Sequence, residues 1–118
     1  MYSRADLVSE AQEALDSVWF VQRLEEIERT DITLSLRLYV RPDLFVQVFL
    51  GEQSGSLYLA LIESGRRIFG IDRETGEWHL HPYDAPTEHK VLLKGLEPKP
   101  LLKFLAQIEN LLLEYHLL

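Results

Sequence analysis

Cysteine is absent from the 118 residues, which excludes disulfides, thiolate metal sites and cysteine nucleophiles. No apolar run is long enough to span a bilayer, and Met1 to Asp6 is polar and charged rather than an apolar export signal. These absences predict a cytoplasmic chain with no membrane association. Cations are outnumbered: 12 Lys and Arg face 19 Asp and Glu, for a net charge of -7 and a pI near 5.0. That balance opposes indiscriminate binding to a phosphate backbone, so a nucleic-acid role requires a local basic patch. No phosphate-binding glycine loop, nucleophile elbow or paired-carboxylate motif is present. Linkers, low-complexity segments and repeats beyond a hairpin pattern are also missing. What remains is 47% apolar and 26% charged, a composition that suits one domain over residues 1–118 with its own core.

Ser3 to Asp6 has the form of a helix-capping sequence, and Leu7, Val8, Ala11, Leu15 and Val18 follow at helical spacing. A first helix is expected to about Asp16. From Ser17 to Arg29 the spacing of Val18, Val21, Leu24 and Ile27 suits a helix while the aromatic and β-branched content suits a strand; the strand reading is taken. Ile32, Leu34, Leu36, Leu38 and Val40 alternate with Thr33, Ser35, Arg37 and Tyr39, the period of a strand with one apolar face. Arg41-Pro-Asp43 turns the chain into the nearly continuous apolar run Leu44 to Leu50.

Glu52-Gln-Ser-Gly55 and Arg73-Glu-Thr-Gly76 read as four-residue hairpin loops with glycine last, and Ser64-Gly65 as a two-residue turn between them. The resulting register places Leu50 opposite Leu57, Ile62 opposite Arg67, Ile71 opposite Trp78 and Gly70 opposite His79. Five consecutive strands then form a meander. One face collects Phe45, Phe49, Tyr58, Ile62, Phe69, Ile71, Trp78 and Leu80 as a core surface. The other carries Leu36, Leu38, Val46, Val48, Leu59 and Leu61, then Arg66, Asp72, Glu77, His79 and His81. Val91 to Leu93 suits a short strand, and Pro98-Lys-Pro100 marks the start of a final helix with a stripe from Leu101 to Tyr115. The expected class is α+β: an antiparallel meander of about five strands between an N-terminal and a C-terminal helix.

Trp78-His-Leu-His-Pro-Tyr83 and Pro86-Thr-Glu-His89 bring three of the four histidines into one short stretch. On a strand, His79 and His81 point the same way while Trp78 and Leu80 anchor the other side. Two chemistries suit this pattern. As general acid and base, His79 and His81 would work with Asp72 orienting one ring and Arg66 or Arg67 holding an anionic phosphate, as suits metal-independent cleavage of RNA. The two arginines face opposite sides of the strand, and Arg66 is the choice. As ligands, His79, His81 and His89 would share a divalent metal, with Glu88 or Asp72 completing the site. The bland alternative is an edge strand whose His, Glu and Asp keep it from pairing with other sheets. Leu113, Leu117 and Leu118 lie off the main helical stripe and leave room for a homodimer.

The run Arg67-Ile-Phe-Gly-Ile-Asp72, then Gly76 to Tyr83 and Pro86 to His89, resembles the TumE-like family of small prokaryotic toxins of toxin–antitoxin pairs. The likeness extends from about Leu34 to His89. It implies a helix followed by a curved antiparallel sheet, a helix-turn-helix antitoxin as partner, and a site at Asp72, His79, His81 and His89. RNA is the target that the histidine chemistry would suit.

Overall fold

The computed structural model describes residues 1–83, 85 and 87–118. Helix α1 (Arg4–Ser17) precedes seven strands and α2 (Pro100–Glu114) follows them. The strands are β1 (Arg23–Arg29), β2 (Thr33–Arg41), β3 (Leu44–Gly51), β4 (Ser56–Glu63), β5 (Arg66–Glu74), β6 (Glu77–His81) and β7 (Lys90–Leu92). They lie side by side in chain order, each antiparallel to the next. The α+β class, the meander and the terminal helices match the expectation, with seven strands in place of five. The ambiguous stretch 17–29 resolves into a connector and a strand. Val18 caps α1, Phe20 and Val21 are buried, and the chain joins β2 where the Gln22 amide donates to the Tyr39 carbonyl at 2.8 Å, just before the ladder that starts at Arg23.

Helix α1 starts where the capping sequence places it. The Ser3 hydroxyl accepts from the Asp6 amide at 3.0 Å, and the Asp6 carboxylate accepts from the Ser3 amide at 2.9 Å. Helix α2 has no such side chain at its own start, where Lys99 adopts a left-handed conformation. Its cap comes from the other helix instead: the buried Glu10 carboxylate accepts from the Leu102 amide at 2.6 Å and from the Tyr2 hydroxyl at 2.5 Å. Burial first, and then the bond to Glu10, push the Tyr2 phenol above its ordinary range. One buried carboxylate thereby satisfies an orphan helix donor and locks the two helices together.

Both helices cover one face of the sheet. Their buried side chains, among them Leu7, Ala11, Leu101, Phe104 and Ile108, join Leu36, Val48, Leu59 and Ile71 in a continuous core. Phe69 stacks on Phe104 at 5.6 Å between ring centroids. Such burial is worth ~1.5–3 kcal/mol for each large apolar side chain.

The two expected faces are correct in β2, β3 and β4 but reversed in β5 and β6. Ile62 does pair with Arg67, yet Leu61 pairs with Phe69, so Ile68 is an extra residue in a bulge. Because side chains alternate with period two, one inserted residue moves all that follow to the opposite face. Phe69, Ile71, Trp78 and Leu80 therefore lie with Leu59 and Leu61 beneath the helices. Asp72, His79 and His81 lie with Phe45, Phe49, Tyr58 and Ile62 on the face the helices leave uncovered. That aromatic face, expected to be core, is half-buried.

A second correction concerns the β5–β6 loop. Glu74 pairs with Glu77, leaving only Thr75 and Gly76 in the turn, both at positive φ (49° and 80°). This is the mirror-image turn whose twist matches that of the strands, and Ser64-Gly65 repeats it at 49° and 81°. The shorter loop slides β6 by two residues: Ile71 faces Leu80, Asp72 faces His79, and Gly70 faces His81. The Leu50–Leu57 pairing and the four-residue loop 52–55 are as expected.

Candidate functional site

The uncovered ends of β5 and β6 and the segment after β6 bring together Asp72, His79, His81, His89 and Arg67. His81 is 2% exposed and is held at both ring nitrogens. Its Nδ1 donates to the Glu88 carbonyl (3.2 Å), since a carbonyl can only accept, and the Asp72 carboxylate accepts from its Nε2 at 2.8 Å. Asp72 reaches His81 diagonally across the strand pair, because its direct partner is His79. The bond to Glu88 ties the chain just before His89 to the sheet. His89 consequently lies against both strand imidazoles, with ring centroids 4.3 Å from His81, edge to face, and 5.5 Å from His79. His79 is oriented by Glu77, whose carboxylate accepts from Nε2 at 2.8 Å.

Gly70 sits opposite His81, not His79. A Cβ there would lie 3.4 Å from Arg67 Cδ and 3.6 Å from His81 Cδ2. The bare backbone is what lets the Arg67 side chain cross the strand beside the buried imidazole. Arg66, the sequence-based choice for the cation, pairs with Glu63 on the opposite side of the sheet and is not brought to the cluster. The bulge at Ile68 is the reason: it lies after both arginines and turns the histidines to the face of Arg67. Parity of the Ser64-Gly65 turn already separates the two arginines; choosing between them requires the bulge.

The His79, His81 and His89 ligand set does not present converging donors. Both nitrogens of His81 are engaged, and among the described residues no group of three or more His, Asp or Glu side chains is arranged to hold a metal. Pro86, part of the family-like motif, lies outside the described residues. His116 adopts a left-handed conformation beyond α2, outside the cluster.

A cleft of about 560 Å³ lies elsewhere, lined by residues including Tyr2, Arg73, Glu97 and Pro98. Its Arg73 is already bound, to Glu97 at 2.7 Å and to the Gly55 carbonyl at 2.9 Å. Size alone does not make it the chemical site. The histidine cluster has the denser chemistry: imidazoles in contact, a carboxylate bonded to one of them, and the Arg67 side chain alongside. No helix among the described residues is long and apolar enough to cross a membrane. No protein-family model, curated protein or solved structure matches the chain, so the likeness to the TumE-like family rests on the residues quoted for it and the candidate site on its own geometry.

Proposed function

We propose that the chain is a TumE-like toxin that cleaves RNA without a resident metal, using the imidazoles of His79 and His89. The observation carrying this reading is the placement of His89 against both strand histidines, backed by the pairing of the buried His81 with Asp72. His79 donates from Nε2 to Glu77, which leaves Nδ1 as a base when the ring is neutral. In the proposed reaction Nδ1 of His79 takes the proton of a ribose 2′-hydroxyl. The freed oxygen attacks the adjacent phosphorus, the bond from phosphorus to the 5′-oxygen breaks, and protonated His89 gives its proton to that leaving oxygen. The products are a 2′,3′-cyclic phosphate and a 5′-hydroxyl. Arg67 supports the extra charge on the phosphoryl oxygens. His81 and Asp72 act as positioning residues, because the first has no nitrogen to offer a substrate.

A cytoplasmic setting and a helix-turn-helix antitoxin partner belong to the same proposal. The test is cleavage of single-stranded RNA by purified protein, with growth of expressing cells in parallel. Replacing His79 or His89 by alanine is expected to lower the cleavage rate by about 10²–10⁴-fold, the ordinary contribution of a general acid or base. Unchanged cleavage or unchanged growth inhibition in both variants would remove these rings from the reaction. A non-enzymatic binding domain is favoured by a different observation, the double anchoring of His81, which also serves simply to pin the segment after β6. No cleavage by the unaltered protein, with a strong stability loss on removing His81 alone, would establish that reading.

A further inference from the structure

The strand register lays the uncovered face out in lateral rows. Arg37, Gln47, Ala60, Gly70 and His81 stand side by side across β2 to β6. The row on one side contributes Phe49 and Tyr58, and the row on the other contributes Phe45 and Ile62. Small residues at the middle and larger ones on both sides make a shallow trough that crosses the sheet. Its walls, four residues apart along β3, are separated by ~13 Å, and its ends, four strand spacings apart, by ~19 Å. One end is the histidine cluster. At the other end the Arg37 guanidinium lies 4.6 Å over the Phe45 ring, and its Nε is buried with no hydrogen-bond acceptor among the described residues.

Arg37 makes no hydrogen bond or ion pair with a described residue, and its terminal nitrogens, unlike Nε, are not buried, so they are open to an acceptor from outside the chain. The acids bordering the trough do not serve. Glu25 accepts from Tyr39 at 2.9 Å, Glu74 from Tyr58, Glu77 from His79 and Asp72 from His81. Arg37 at one end and the half-buried aromatic rings beside it provide a phosphate contact and stacking surfaces. Single-stranded nucleic acid is recognised by such a combination of a cation with stacking rings.

We infer that this trough is the binding track for a single RNA strand, with Arg37 holding a phosphate at the end remote from the histidines and Phe49 and Tyr58 stacking bases. The inference rests on the RNA-cleavage reading and extends it from the reacting bond to the rest of the substrate. It also accounts for an aromatic face that the helices leave bare.

The test uses the full chain and a fluorescein-labelled single-stranded RNA of about 12 nucleotides, carrying 2′-O-methyl groups so that binding is separated from cleavage. Arg37→Gln and Phe49→Leu are each expected to weaken binding by about tenfold, and Arg37→Gln to reduce the salt dependence by about one phosphate contact. His79→Ala is expected to leave binding within about twofold while lowering cleavage of the unmodified RNA by about 10²–10⁴-fold. Retained folding of each variant is checked by its thermal midpoint. Cleavage that depends on His79 but is indifferent to Arg37 and Phe49 would overturn the track and leave the reaction standing. Binding that depends on Arg37 and Phe49 without any cleavage would keep the track and overturn the reaction. Failure to bind RNA, or equal displacement of RNA by an acidic peptide, would overturn the track.

Discussion

His81 illustrates how one side chain can be central without touching a substrate. Its ring is buried, and removing it leaves Asp72 without its donor and the Glu88 carbonyl without its own. His81→Ala is therefore expected to cost ~1–3 kcal/mol of stability. His79→Ala and His89→Ala, at more open positions, should stay within ~0.5 kcal/mol of the parent. Urea melts of the three variants test this; equal losses would mean that the rings act as one structural unit. The histidine pattern was legible in the sequence, as was the pairing of Asp72 with an imidazole. Which imidazole it reaches was not, because a two-residue change in loop length substitutes one partner for the other while preserving the face.

Turns and bulges, at the scale of the element, determine what the site contains. The β5–β6 turn places Thr75, a β-branched residue, at φ 49°, a conformation that suits asparagine or glycine better. Thr75→Asn is expected to stabilise the fold by ~0.5–1 kcal/mol, and Gly76→Ala to destabilise it by ~1–2 kcal/mol, as measured by denaturant midpoints. If Thr75→Asn destabilises instead, the positive-φ turn is wrong and with it the pairing of Asp72 with His79. Strand β1 shows a different constraint. Five of its seven residues, Arg23, Glu25, Glu26, Glu28 and Arg29, are charged, which discourages pairing with another sheet at that edge. Its charge also explains why its sequence offered no clean alternation: β1 buries little, so burial imposes no period upon it.

For the molecule as a whole, the helices are tied to the sheet by polar contacts as well as by the core. The Glu52 carboxylate, after β3, accepts from the Arg4 amide at 2.7 Å and from its guanidinium at 3.0 Å. First the backbone bond and then the side-chain bond hold the Glu52 carboxyl below its ordinary range, outweighing its slight desolvation. A group whose folded pKa is depressed contributes stability above its unfolded pKa and loses it as pH falls through the folded value. Glu52→Gln should accordingly lower the thermal midpoint at neutral pH and flatten its decline as the pH falls below about 4.3, the ordinary glutamate value at which the unfolded chain begins to take up the proton. Parallel midpoint-against-pH curves for parent and variant would refute the tie.

Much about this protein was determined by local sequence alone. The capping of α1, the apolar stripe of α2, the alternation in β2, the hairpin glycines and the clustering of histidines all act over a few residues, where spacing and backbone preference suffice. Tertiary structure decided the rest: that Ile68 bulges, that Arg67 rather than Arg66 meets the histidines, that Glu10 caps a distant helix, and that Phe45, Phe49 and Tyr58 remain uncovered. Each depends on which sheet face the helices bury. A strand with apolar residues on both sides does not encode that choice locally; it follows from packing the whole chain at once.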